Sequence, residues 1–150
     1  TDMADEPRGF IDTNILLYAY DTSETTKQPI AVALLGRLWR ERTGVLSTQV
    51  LQEFYSVATS KRRPPMSPSA ARDIIDIYRG WPVTVIEPAL ILAASRLQER
   101  HRLSFWDALI VQAAIVAGAR TLLTEDLATG QVIEGVQVVN PFVAGEGAGP

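Results

Sequence analysis

The chain of 150 residues has no cysteine and a single histidine, His101. Without thiols, a disulfide framework, a thiolate zinc site, a cysteine nucleophile and a redox motif are all excluded, and one imidazole cannot build a histidine-rich metal centre. Any metal must therefore rest on oxygen, and carboxylate, carbonyl and water ligands suit magnesium, manganese or calcium. Zinc and organic cofactors are not expected. Long hydrophobic runs are also missing: the longest uncharged apolar stretch, Ala108 to Ala119, is too short to span a bilayer and is broken by Gln112. With a polar, acidic start in place of an export signal, the chain reads as cytoplasmic with no membrane partner. A basic excess is lacking too. The 14 Lys and Arg against 17 Asp and Glu give a net charge of −3, which argues weakly against a general nucleic-acid binder.

The apolar fraction of 47% over this length is enough for one domain with a real core. Residues 9–142 read as that domain. Residues 1–8 read as a polar segment in which Thr1 and Asp2 stand ahead of the native start at Met3, and 143–150 as a flexible Gly-rich tail. Short apolar runs at 9–12, 45–47, 83–86, 121–124 and 136–139 predict strands. Helical patterns separate most of them: one through Leu16, Leu17 and Tyr20, one from near Pro29 that Gly44 stops, and one from Thr48 to Ser60. Others run from Ser67-Pro68 to Gly80, from Pro88 through Leu97, and from a Ser104 cap to Gly118. Strands alternating with helices predict an α/β fold with a mainly parallel sheet of four to five strands and helices on both faces. Ligands of such folds bind outside the carboxyl ends of the strands.

Four acids fall at or near that edge. Asp12 ends the first strand ahead of a helix, where it suits either a ligand site or a helix cap. Glu53 lies at the margin of the apolar face of the helix after the second strand, where most glutamates are simply solvated. Asp107 enters a helix that is apolar except for Gln112, so it needs a partner or a metal; Ser104-Phe-Trp-Asp107 also resembles a capping box. Asp126 follows the fourth strand, with Glu125 competing for any role. Four carboxylates converging on one sheet edge repel unless cations are bound, and a magnesium or manganese site resolves the repulsion. Setting those four aside leaves 14 basic against 13 acidic groups, so the acidic excess is local.

Phe10-Ile-Asp12-Thr-Asn-Ile-Leu-Leu-Tyr-Ala19, Thr48-Gln-Val-Leu-Gln-Glu53-Phe-Tyr55, Ser104-Phe-Trp-Asp107-Ala-Leu-Ile110 and Leu122-Leu-Thr-Glu-Asp126-Leu127 together resemble the PIN domain family. More narrowly they resemble the VapC ribonuclease toxins of type II toxin–antitoxin systems. The likeness runs from about Gly9 to Phe142. It implies a three-layer sandwich and magnesium- or manganese-dependent endonucleolytic cleavage of RNA with one or two ions. Asp12, Glu53, Asp107 and Asp126 would form the catalytic, metal-binding site, supported by hydrogen bonds from Asn14 and Thr124. Asp126 is preferred to Glu125 because it matches the family's aspartate two positions after the threonine. A homodimer and a cognate antitoxin that obstructs the site are implied as well.

Other readings share parts of this pattern. A phosphoacceptor domain also has an aspartate at a strand end but needs a lysine late in the chain, whereas Lys27 and Lys61 are the only two here. A non-catalytic binding module would not need four intact acids. A PIN-type nuclease acting in RNA maturation or on DNA outside a toxin pair stays open. Candidate phosphate contacts are Lys61, Arg62 and Arg63, with Arg37, Arg40 and Arg42, and Arg96, Arg100 and Arg102, as further groups. Trp39, Trp81 and Trp106 could serve an interface, though the core is the expected home for most of them.

Overall fold

The computed structural model describes residues 6–143. The polar residues 1–5 and the Gly-rich 144–150, which make up all of the expected flexible tail but Val143, lie outside the described residues. The chain runs β1 (Arg8–Ile11), α1 (Thr13–Ala19), α2 (Lys27–Glu41), β2 (Gly44–Ser47), α3 (Thr48–Ser56), α4 (Pro68–Tyr78), β3 (Val83–Thr84), α5 (Pro88–His101), α6 (Phe105–Val116), β4 (Ala119–Leu123), β5 (Val132–Ile133) and β6 (Val136–Val139). One six-stranded sheet has the order β3-β2-β1-β4-β6-β5. All neighbours are parallel except β5 and β6, which pair antiparallel. Helices flank the sheet on both faces, as the alternation of strand and helix requires.

The sixth strand is the one the sequence pattern does not announce. β5 is two residues long and closes a tight hairpin with β6 through Glu134 and Gly135, both at positive φ, which is too short for any periodicity to register. Two helix ends also differ from expectation. α2 stops at Glu41 with Arg42 in the left-handed conformation as its cap, so Gly44 does not end the helix. It opens β2 instead, beneath the Trp81 ring, where an added Cβ would meet ring carbons at 2.5–2.7 Å. The helix through Glu53 is regular to Ser56 and then widens into a π-turn over Val57–Lys61, a form that recurs at functional sites.

The core includes Phe10 and Ile11 of β1, Val45 and Leu46 of β2, and Leu122 and Leu123 of β4, with Phe54, Leu97 and Val111 from the covering helices. Trp81 is buried and packs against Trp39 and Tyr78 with ring centroids 5.3 and 5.0 Å away. Trp39 is partly exposed at 37%, and Trp106 departs from the expectation altogether, at 66%. Among the described residues, no helix is long and apolar enough to cross a membrane.

From β1 the sheet grows one way through β2 and the other way through β4. The crevice at the carboxyl ends of β1 and β4 is therefore the topological switch point, where open α/β sheets bind ligands.

Candidate functional site

Asp12 occupies the switch point because β1 ends there and α1 begins. Its backbone N–H donates to Leu123 O of β4 at 3.0 Å, and its carboxylate caps α1 by accepting from Thr13 N–H at 2.7 Å. The cap and the site are thus the same residue. The second carboxylate oxygen accepts from the Thr124 hydroxyl at 2.7 Å. Thr124 is fully buried, and its oxygen also takes the Asp126 N–H at 3.0 Å, fixing the turn after β4. Asn14, in the first turn of α1, donates to Asp126 Oδ2 at 3.1 Å. One hydroxyl and one amide therefore tie the ends of β1 and β4 together.

Burial pushes the Asp12 carboxyl up to about 6; the Asp126 and Glu53 charges add to the rise, while the Thr124 and Thr13 hydrogen bonds oppose it. Asp126 is raised as well, by burial first and then by Glu125 and Asp107, against the Asn14 bond. Asp12 and Asp126 thus share the switch point, with Glu53 and Asp107 within electrostatic range of it. Glu53 is exposed on α3 and accepts from Gln49 Nε2 at 2.8 Å. Asp107 is half-buried in the first turn of α6, with its N–H on Ser104 Oγ at 3.1 Å. Only that half of a capping box forms: among the described residues the Asp107 carboxylate accepts no hydrogen bond.

Glu125 turns elsewhere. It receives the Tyr18 hydroxyl and pairs with Lys27 Nζ at 2.8 Å, and that pairing holds the lysine well above its ordinary pKa. The neighbours that compete in the sequence are separated by their partners in the fold.

Among the described residues, no three carboxylate or imidazole groups form a ready-made metal cage. Glu53 accepts instead from Gln49, one helical turn before it. The donors nevertheless fit a hard divalent cation. They are all oxygen, Asp126 and Glu53 raise the proton affinity of Asp12 and Asp107 adds to that of Asp126, and the buried Asn14 Oδ1 and Gln49 Oε1 beside them have no hydrogen-bond partner. Gln49 is the residue the sequence reading misses. Its position four before Glu53 on one helix face is the signal that could have revealed it.

Lys61, Arg62 and Arg63 come together where the π-turn meets α1. With Asn14, Leu17, Tyr18, Asp21 and Val57 they line a cleft of about 260 Å³. Asn14 joins it directly to Asp126. Within the cleft Arg62 approaches Asp21 at 3.9 Å. Two arginines of the other basic groups are engaged by acids, Arg37 by Glu41 and Arg100 by Glu134. His101 also contacts Glu134, at 3.0 Å.

The PIN domain family model matches residues 9–132. No curated protein sequence matches the chain. Among solved structures, a toxin–antitoxin complex from Klebsiella pneumoniae is similar with TM-score 0.66 and 18% identity, over 89% of this chain and 97% of that one. The sarcin–ricin-loop-cleaving toxin VapC20 of Mycobacterium tuberculosis gives TM-score 0.60 and 21% identity, over 76% and 86%. VapBC2 from Rickettsia felis, bound to a DNA fragment from its promoter, gives 0.62 and 20%, over 87% and 96%.

Proposed function

The chain belongs to the PIN domain family, and from that premise we propose that it is a magnesium- or manganese-dependent endoribonuclease, the toxin of a type II toxin–antitoxin pair. The observation that carries the reading is the buried Asp12 carboxylate at the β1/β4 switch point, coupled to Asp126 and Glu53 and raised to about 6. A carboxylate so deprived of water is costly to ionise unless a cation compensates it.

In this reading the nuclease domain spans residues 9–142, and Asp12, Glu53, Asp107 and Asp126 hold one or two ions. Such ions, when bound, stabilise charge developing on phosphoryl oxygens and lower the pKa of an attacking water. The chain's own residues do the positioning. Thr124 and the Thr13 amide fix both oxygens of Asp12. Asn14 holds Asp126. Gln49 holds Glu53 and, through the Trp106 carbonyl at 3.4 Å, ties α3 to the turn that bears Asp107. Among the described residues no imidazole stands with these acids, so the proton of the water passes to a carboxylate or to bulk solvent. Lys61, Arg62 and Arg63 supply cationic contacts for RNA phosphates in the cleft that Asn14 shares.

A cognate antitoxin and a second copy of the chain complete the proposed assembly in the cytoplasm. The antitoxin is supported by similarity to proteins solved as toxin–antitoxin complexes. The purified protein is expected to cleave RNA with magnesium or manganese, to stop on chelation, and to lose more than about a hundredfold in rate on Asp12→Asn, beyond what outer-shell changes cost. Cleavage that persists without metal, or that ignores Asp12→Asn, would sink the mechanism. Induction without effect on growth, and no small antitoxin gene beside this one, would remove the toxin role while leaving the nuclease.

A further inference from the structure

Trp106 is the most exposed of the three tryptophans, with 66% of its surface open to solvent. Its place in the chain makes that exposure unusual. The next residue is Asp107, and the Trp106 carbonyl receives the same Gln49 amide that donates to Glu53 at 2.8 Å. The ring therefore springs from the turn that carries one proposed ligand and is wired to another.

Its base is rigid. Ser104 caps the helix, Ala108 to Val111 are buried immediately after it, and Phe105, itself packed on the core, meets the indole edge-on at 5.4 Å and 71°. A large aromatic surface held still in water loses little conformational entropy when something flat covers it.

We propose that Trp106 is a stacking platform for an unpaired nucleobase beside the bond to be cut, so that the protein selects single-stranded stretches of RNA. The inference rests on the nuclease reading for its choice of ligand. Trp106 directly precedes Asp107 in the opening turn of α6 and its carbonyl meets the Gln49 that holds Glu53, so the ring starts one residue from an acid that would hold the phosphodiester. An unpaired base offers a free π-face there. A base inside a duplex has both faces already stacked and cannot lie on the indole. The Lys61–Arg63 cleft offers cations to the backbone, and the one ring that lines it, Tyr18, is half-buried and already engaged by Glu125, Lys27 and Phe142. Selection for an unstacked nucleotide therefore falls to Trp106.

The test uses the full chain carrying Asp12→Asn, which blocks turnover, and a short fluorescein-labelled RNA without self-complementarity, alone or annealed to its complement. Adding Trp106→Ala is expected to weaken single-strand binding roughly tenfold, within the range that loss of one base–aromatic stack costs. Duplex binding should stay where it was. Trp106→Phe, which keeps a ring, should recover most of the loss, and single-strand binding should quench tryptophan emission in the parent but not in the Trp106→Phe protein. Unchanged single-strand binding in Trp106→Ala, or equal loss for strand and duplex, overturns the inference. So does intact RNA binding with loss of a co-expressed protein partner, which would make the ring a protein-docking residue. A wild-type chain that cleaves RNA while Trp106→Ala binds normally keeps the nuclease reading and sinks this one. A chain that binds single strands through Trp106 without cleaving does the reverse.

Discussion

Asp12 holds a carboxylate almost wholly out of water, and its proton reports that cost. Folding raises its pKa from 3.8 to about 6, so the folded state binds the proton more tightly than the unfolded chain. Its contribution to stability is full below about pH 4 and is lost as pH rises through about 6. The shift corresponds to about 3 kcal/mol. Asp126 is raised too and acts in the same direction. Denaturant titrations of metal-free protein should therefore show stability falling across that window, with a flatter profile in Asp12→Asn; a profile identical in the two proteins would remove Asp12 as the origin. The adjacent acids make a second test at this scale. Glu125 is engaged by Lys27 and Tyr18, whereas Asp126 faces Asn14 and feels Asp107. Asp126→Asn should cost more than about a hundredfold in cleavage rate. Glu125→Gln should change the rate by less than about threefold and stability by no more than about 1 kcal/mol, as expected of a partly exposed ion pair. Equal losses in the two variants would return Glu125 to the site.

The turn that opens α6 joins stability to function. The Ser104 hydroxyl accepts the Asp107 N–H at 3.1 Å, so the cap and the presentation of Asp107 are one hydrogen bond. Ser104→Ala is expected to cost about 1 kcal/mol in thermal or chemical denaturation. It should also slow cleavage at temperatures where the protein is fully folded, because the aspartate's turn is loosened; a stability loss with no rate effect would show that the cap only holds the helix. Such elements also mark what a sequence can disclose. Ser67 and Ser104 caps, Pro68 and Pro88 in first helical turns, and the alternation of strand and helix are local signals, and all appear in the fold. Asp12 and Asp126 could be assigned to one sheet edge for the same reason, since each follows an apolar run. What stayed hidden depends on distant partners. Gly44 looks like a helix stop until Trp81 is found lying over it, and Glu125 looks equivalent to Asp126 until Lys27, 98 residues away in sequence, takes it. The two-residue β5 and the π-turn after Ser56 have no pattern long enough to read.

Across the whole molecule, charge is distributed unevenly enough to bear on stability. The net charge is −3, yet without the four proposed ligands 14 basic groups face 13 acidic ones. The protein's acidity is then concentrated at the switch point, where Asp12 and Asp126 are raised partly by neighbouring carboxylates. A divalent cation that neutralises this group binds only the folded chain, since the unfolded chain scatters the same acids. Linkage then requires stabilisation: at about a hundred times its dissociation constant a ligand adds about 2.7 kcal/mol. For a domain of this size about 1 kcal/mol moves the melting temperature by about 2–4 °C. Magnesium or manganese near saturation should thus raise the melting temperature by roughly 5–10 °C at pH 7.5, where the Asp12 carboxyl, at about 6, is mostly ionised. The increment should shrink at pH 5, where protons compete for the same oxygens, and chelation should reverse it. In Asp12→Asn protein most of the increment should vanish, while that variant's metal-free stability at pH 7.5 rises because the buried charge is gone. An equal metal-induced shift in wild-type and Asp12→Asn proteins would put the ion somewhere other than the β1/β4 edge.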